Sequence, residues 1–146
     1  VLGFGLRRVV STAAVIAMRP RVLILDEPTA GLDWRSAHEL LDRIAGLHAE
    51  GHTILFVSHD MQLVAEYCPE TLVMHKGRVL AYGATADVMG QLDVLQRAQL
   101  APPQVAQLAR RLADCGLPAC LTVEQFCAAY TQVLGSASPH NEETPP

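Results

Sequence analysis

The chain has 146 residues, and its 50% hydrophobic and 18% charged content is typical of a folded domain, which excludes disorder of the whole chain. The net charge of -4 gives no support for a nucleic-acid partner, although the charged residues at the start of the chain are all arginines. No apolar stretch reaches the roughly 18 to 20 residues that cross a bilayer, and a signal-peptide pattern is absent, so a membrane role would require a partner.

The first elements in chain order alternate between helix and strand. Residues 6–18 have the spacing of a helix closed by Pro20, and "RVLIL" at 21–25 predicts a short strand buried on both faces. Asp33 suits the N-cap of the next helix, and Gly51 its C-terminal stop. The apolar stripe of that helix would comprise Ala37, Leu40, Leu41, Ile44, Leu47 and His48.

The next segments continue the alternation of strand and helix, and two consecutive strands follow them. "HTILFVSH" at 52–59 predicts a second strand, followed by a short helix over 60–67. "TLVMH" and "RVLAYG", joined by Lys76 and Gly77, predict a hairpin, so we expect the sheet to end in antiparallel strands.

The C-terminal part is predicted to be helical. We expect helices over residues 86–98, from the Pro102-Pro103 pair to about Asp114, and after Thr122, where Gln125 completes a capping box. The four cysteines lack CxxC spacing and predict reduced thiols of a cytoplasmic protein rather than a metal site; they are Cys68, Cys115, Cys120 and Cys127. Residues 135–146 are polar and proline-containing, which predicts a disordered tail.

Two acidic residues and one histidine carry the candidate chemistry. Asp26 and Glu27 follow the first predicted strand, and the carboxyl end of a parallel strand is where α/β proteins bind ligands. One carboxylate can hold a metal ion and the other can activate water, which suits phosphoryl transfer. His59, at the end of the next strand, could reach a terminal phosphate or the attacking water.

The run "LILDEPTAGLD" (23–33), followed one strand later by "SHD" (58–60), resembles the nucleotide-binding subunits of ATP-binding cassette (ABC) transporters. The resemblance implies the C-terminal half of a P-loop NTPase (RecA-like) domain of the α/β class, covering roughly residues 1–115. It makes Asp26 the Walker B magnesium residue, Glu27 the general base and His59 the switch histidine that senses the γ-phosphate. The segment from Ala30 to Asp33 would be the loop through which two ATPases communicate. Trp34 stands where the family usually has proline, and we expect it to be tolerated at a helix start.

Two departures from the family matter more. Aligned on the arginine pair at 7–8, the first six residues read VLGFGL where the family has LSGGQ plus one residue; only Gly3 is kept, so we expect a degenerate signature. No GxxxxGK[ST] occurs, so the phosphate-cradling loop is missing. We therefore interpret the chain as the C-terminal part of a longer ATPase and expect it to be inactive alone. The strand "HTILFV" would then have an unpaired apolar edge.

The segment "RAQLAPPQVAQLARRLADCGLPACLTVEQF" resembles the C-terminal extension of energy-coupling-factor importer ATPases, which take up vitamins or metal ions such as cobalt and nickel. We thus expect a partial ATPase domain over 1–84, a helical extension over 85–134 and a tail over 135–146. The implied cofactors are ATP and Mg²⁺, with nucleotide contacts at Gly3 and Asp33. The implied partners are a second ATPase subunit and an integral membrane coupling protein at the cytoplasmic face of the membrane.

Two alternatives remain open. The chain could be a non-enzymatic interaction or regulatory remnant of such an ATPase, since the P-loop is missing. It could also be a soluble ABC protein of DNA repair or translation, but the sequence has no long heptad pattern or strongly basic region.

Overall fold

The computed structural model describes residues 4–136 of the chain. They fall into two compact units that divide between Asp60 and Met61, and each unit has its own two-stranded sheet. The domain boundary predicted between residues 84 and 85 lies within the second unit, between a strand and a helix, and stays a prediction.

The first unit alternates helix and strand, as the spacing of its apolar residues predicts. Its elements are helix α1 (Phe4–Ile16), strand β1 (Val22–Asp26), helix α2 (Trp34–Ala49) and strand β2 (Thr53–Val57). The strands are parallel, with Val22 opposite Thr53 and Asp26 opposite Val57. This is a βαβ unit, so the carboxyl ends of both strands lie at the same edge.

The two faces of the β1–β2 sheet differ in burial. Leu23 and Leu25 are buried, whereas four apolar side chains on the opposite face are 47 to 65% exposed; they are Val22, Ile24, Leu55 and Val57. The prediction that β1 is buried on both faces is therefore wrong for the part of the chain that the structure describes. A continuous apolar run is typical of a strand that is covered on both faces, and the described residues cover only one face of β1.

Helix α2 begins and ends where its sequence predicts. The backbone N–H of Ser36 donates to Asp33 Oδ1 at 2.8 Å, and the Ser36 hydroxyl donates to Oδ2 at 3.0 Å. The N-cap prediction is thus confirmed, and these two hydrogen bonds hold the pKa of Asp33 below its usual value. At the other end Gly51 has a φ of +96°, the left-handed conformation typical of a glycine stop. The predicted stripe is buried from Ala37 to Ile44, but His48 is exposed.

The second unit consists of a hairpin and short helices. Its elements are α3 (Met61–Tyr67), β3 (Glu70–His75), β4 (Arg78–Ala84), α4 (Thr85–Gly90), α5 (Leu92–Arg97), α6 (Gln104–Arg111) and α7 (Val123–Ser136), with a 3₁₀ turn at Ala113–Cys115. The hairpin prediction is confirmed: Lys76 and Gly77 both have positive φ, at 48° and 73°, as a type I′ turn requires. Among residues 4–136 this hairpin is a separate two-stranded sheet rather than the end of the first.

The helix predicted over residues 86–98 is two helices, which meet at Gln91. This residue leaves the helical region with a ψ of 75°, directly after Gly90, a poor helix former. The break turns the chain so that Val88 before it and Leu95 after it are both fully buried. The single-helix prediction failed because periodicity does not detect a one-residue break.

The last helices form a small separate core. Buried residues Ala109, Leu117 and Cys120 pack with Leu112, Phe126, Ala129 and Val133. The capping box is confirmed in part, since the N–H of Gln125 donates to the Thr122 hydroxyl at 3.3 Å while the Gln125 amide oxygen accepts from the N–H of Leu121. Helix α7 continues two residues into the predicted tail, and residues 137–146 lie outside the described part. Within residues 4–136 no helix has the length and hydropathy that spanning a bilayer requires.

Candidate functional site

The ends of β1 and β2 bring the predicted acidic residues and the histidine together. Asp26 is the last residue of β1 and lies opposite Val57, the last residue of β2. The backbone N–H of Glu27 donates to the carbonyl of Val57 at 2.9 Å, which extends the parallel ladder by one bond. Glu27 and the 58–60 loop therefore leave the sheet side by side.

The carboxylate of Glu27 accepts hydrogen bonds from two consecutive residues of that loop. Its Oε1 lies 2.6 Å from Nδ1 of His59 and also accepts the His59 backbone N–H at 3.0 Å. Its Oε2 accepts the Ser58 hydroxyl at 3.4 Å. The same hydroxyl accepts the N–H of Asp60 at 3.0 Å, which shapes the loop. Hydrogen bonds to both oxygens thus fix the orientation of the Glu27 carboxylate.

The backbone of Glu27 has a conformation that non-glycine residues rarely adopt, with a φ of +46°. Such a conformation costs on the order of 1–3 kcal/mol and persists only where the surroundings enforce it. Here the bond to Val57 and the three donors to the carboxylate enforce it. Residues held in this way are frequent at functional sites, so the conformation agrees with the role predicted for Glu27.

His59 is the ionisable partner of Glu27. The imidazole is 81% exposed, and the Glu27 carboxylate raises its pKa above 6.5, first through the hydrogen bond and then through its negative charge. With Nδ1 engaged, Nε2 is the ring nitrogen that could bind a further group. A raised pKa means that the pair stabilises the fold fully below about pH 6.5 and loses this contribution as the pH rises through the raised value.

The titration of His59 offers a direct check on this pair. We expect NMR of the imidazole nitrogens to show a midpoint above 6.5 that decreases in Glu27→Gln, because the substitution removes the negative charge. Glu39→Gln is the matched control, since Glu39 pairs with Arg35 on the surface of α2. A wild-type midpoint at or below 6.5 would contradict the pair. Because the imidazole ring is exposed, added salt should reduce the difference between the midpoints of the wild type and of Glu27→Gln.

The other predicted site residues are placed differently. Asp26 is exposed at the end of β1, whereas Asp33 uses both carboxylate oxygens to cap α2. Gly3 lies outside the described residues. The 27–33 loop turns twice, through a bond from the N–H of Ala30 to the carbonyl of Glu27 and one from Leu32 to Thr29.

Trp34 is the first residue of α2, at the position where the ABC resemblance leads us to expect proline. The centroid of its ring lies 4.1 Å from that of His38. The helix therefore starts without the proline, as we expect from the sequence.

Two residues of the site escaped the sequence prediction. The hydroxyl of Ser58 links Glu27 to the loop, a role that any serine next to a histidine could have and that no spacing reveals. A Cβ added at Gly5 would lie 2.8 Å from Cδ2 of Leu32 and 2.9 Å from the carbonyl oxygen of Gly31, so this glycine permits close contact with the 27–33 loop.

The side chains at this site suit a magnesium-bound nucleotide only if further ligands, such as the phosphates, complete the coordination of the metal. Among the described residues, no three His, Cys, Asp or Glu side chains are grouped as protein-only metal ligands. Mg²⁺ in phosphoryl-transfer sites uses one or two carboxylates together with substrate phosphates, a demand that one exposed carboxylate such as Asp26 can meet.

Comparison with known proteins identifies relatives of this chain, although no protein-family model matches it. The chain is 47% identical over 116 residues to the energy-coupling factor transporter ATP-binding protein EcfA2 of Clostridium tetani, covering 79% of the chain and 40% of that protein. It is 42% identical over 117 residues to EcfA2 of Streptococcus pyogenes serotype M5, covering 80% and 42%. The chain thus spans about two fifths of the length of these curated relatives.

Solved structures agree with this assignment. CbiO1 from Clostridium perfringens, described as part of the ABC transporter complex cbiONQ, matches with a TM-score of 0.56 at 37% identity, over 75% of this chain and 44% of that one. An ATP-binding subunit of an ABC transporter matches with a TM-score of 0.58 at 29% identity, over 67% and 42%. The chain belongs to the ATP-binding cassette ATPases and resembles the energy-coupling-factor ATP-binding proteins over part of their length.

Proposed function

We propose that this chain supplies the carboxylate and histidine side of an ATP-hydrolysing site in an ABC-type importer. The contact between Glu27 Oε1 and His59 Nδ1, at 2.6 Å across the ends of two parallel strands, is the observation that supports this proposal most directly. It joins a carboxylate able to accept a proton to an imidazole able to bind phosphate. In this proposal Asp26 would hold magnesium, and Gly3 and Asp33 would lie near the nucleotide.

The hydrogen bonds of Glu27 suggest different roles for its two carboxylate oxygens. Oε1 accepts two short bonds from His59, whereas Oε2 accepts only the longer bond from Ser58. Oε2 is thus the better oxygen to accept a proton from water. The Glu27 carboxylate can only accept, so His59 donates to it through Nδ1. Glu27 raises the pKa of His59 and so favours the protonated ring, in which Nε2 also carries a hydrogen and would donate to a terminal phosphate oxygen. Magnesium bound with the nucleotide would supply charge neutralisation on the phosphates.

The names of the relatives support the finer assignment. Two curated relatives are energy-coupling factor transporter ATP-binding proteins, and the CbiO1 structure is described as part of a transporter complex. We propose that the chain acts with a second ATPase subunit and a membrane-embedded coupling protein at the cytoplasmic face of the membrane. Metal ions such as cobalt or nickel, or vitamins, are the proposed solutes.

A second candidate function is a non-enzymatic interaction module derived from such an ATPase. The motif GxxxxGK[ST] does not occur in these 146 residues, which both candidates accommodate. The two candidates differ in whether activity appears once the phosphate-binding half is supplied.

Calorimetry with magnesium and ATP on the 146-residue chain is the first test. We expect no measurable binding or hydrolysis, since no loop of the described chain offers the amides and lysine of a P-loop. A Glu27→Gln version controls for binding through the carboxylate. Low-micromolar binding by the unmodified chain would show a phosphate site elsewhere and would contradict the proposal that the site needs a second half.

A further inference from the structure

A cavity lies at the amino ends of β1 and β2, whereas Asp26 and Glu27 lie at the carboxyl end of β1. Its volume is about 330 Å³, which is within the range of small-molecule sites. All of its lining residues belong to the first unit. They are Ile16, Ala17, Arg19, Leu47, Glu50 and His52.

One part of the cavity wall is apolar. Ile16 is the last residue of α1, Leu47 lies in the last turn of α2, and both side chains are half-buried. Together with Leu23 of β1 and Ile54 of β2, these two side chains also surround a narrow adjoining void. The apolar wall therefore suits a short aliphatic group.

The polar groups near this wall favour an ammonium group. Glu50 is the exposed C-cap residue of α2. Nδ1 of His52 lies 2.6 Å from the carbonyl oxygen of Pro20, which can only accept, so Nδ1 carries a hydrogen and Nε2 of the neutral ring is an acceptor. The C-terminal ends of α1 and α2 add negative partial charge, and neither last turn contains lysine or arginine.

Arg19 supplies the opposite charge from a strained backbone. Its φ of +49° is the left-handed conformation that glycine adopts without strain and that is common for glycine just after a helix. An arginine here is therefore costly for the fold, which suggests a use for its guanidinium. Among residues 4–136 neither Arg19 nor Glu50 forms a salt bridge, so both charges are available to a ligand.

We propose that this cavity binds a small aliphatic α-amino acid. The ammonium group lies at Glu50 and at Nε2 of His52, the carboxylate at Arg19, and the side chain against Ile16 and Leu47. A zwitterion satisfies both charges at once, whereas a simple amine leaves Arg19 without a partner and a simple acid leaves Glu50 without one. None of the candidate catalytic residues takes part, so the binding is independent of nucleotide.

L-Leucine is the probe for this site, and calorimetry on the 146-residue chain measures its affinity. We expect saturable binding with a dissociation constant below about 1 mM. 4-Methylpentanoate lacks the ammonium group and 3-methylbutylamine lacks the carboxylate, so each should bind at least about tenfold more weakly. Equal binding of either analogue would overturn the zwitterion assignment. The site itself would be refuted by a lack of saturable leucine binding.

Arg19→Gly separates binding from folding. Glycine adopts this φ without strain, so the variant should melt at or above the temperature of the wild type, yet bind leucine at least about tenfold more weakly. Gln99→Gly is the matched control, because Gln99 is an exposed residue of the second unit with a φ of +61° and does not line the cavity. It should leave leucine binding unchanged. Wild-type affinity in Arg19→Gly, or an equal loss in both variants, would contradict the proposal.

Discussion

Glu27→Gln should reduce ATP turnover by about 10²- to 10⁴-fold in a complete ATPase while nucleotide binding is retained. The amide has nearly the shape of the carboxylate and can still accept a hydrogen bond from His59, but it cannot take a proton from water. The effect therefore falls on the chemical step rather than on the affinity for ATP.

A chimera makes this measurement possible. The chain is joined to the preceding part of the Clostridium tetani relative, to which it is 47% identical over the matched residues. Phosphate release gives the turnover, and calorimetry gives the affinity. Glu39→Gln, which removes a carboxylate paired with Arg35 on α2, is the matched control and should retain turnover.

The outcomes separate the two candidate functions. A chimera that hydrolyses ATP with Glu27 in place and loses this activity on Glu27→Gln would support the ATPase proposal. A chimera that binds ATP but never hydrolyses it, with or without the substitution, would favour the interaction module. Turnover that is equal in both versions would show that Glu27 is not the base.

The second large effect concerns stability. Leu95 in α5 is 1% exposed and is among the largest fully buried side chains of the described chain. We expect Leu95→Ala to destabilise the second unit by roughly 2 to 5 kcal/mol, because the lost methyl groups leave a cavity among packed neighbours. Helix α5 packs against β3, so the amides of the hairpin should lose protection together.

Hydrogen exchange of the β3 and β4 amides measures this change. Leu108→Ala is the matched control: Leu108 is 46% exposed on α6, so its truncation should cost less than about 1 kcal/mol. If the two variants lose the same protection, the hairpin does not depend on α5 for its stability.

The sequence predicts best where one residue type has one physical role. Asp33 caps α2 because its short side chain can accept a hydrogen bond from Ser36, and Gly77 marks the hairpin turn because glycine adopts positive φ without strain. The convergence of Glu27 and His59 could be predicted for a similar reason. Parallel strands joined by a helix must end at the same edge.

The features that escaped prediction depend on three-dimensional packing. A break at a single residue, Gln91, leaves the apolar periodicity on each side intact, so it has no signal in the pattern. Val22 and Ile24 on the exposed face of β1 are as apolar as Leu23 and Leu25 on the buried one, so the sequence does not distinguish the two faces. The hydroxyl of Ser58 became part of the site only through the direction of the Glu27 carboxylate.

The left-handed backbone at Glu27 links the site to the sheet mechanically. Its amide is held by the carbonyl of Val57, one bond beyond the strand ladder. Its carboxylate is held by Ser58 and His59, which directly follow β2. Backbone and side chain of Glu27 are therefore anchored to the end of the same strand, so that a displacement of this end would move the whole site with it.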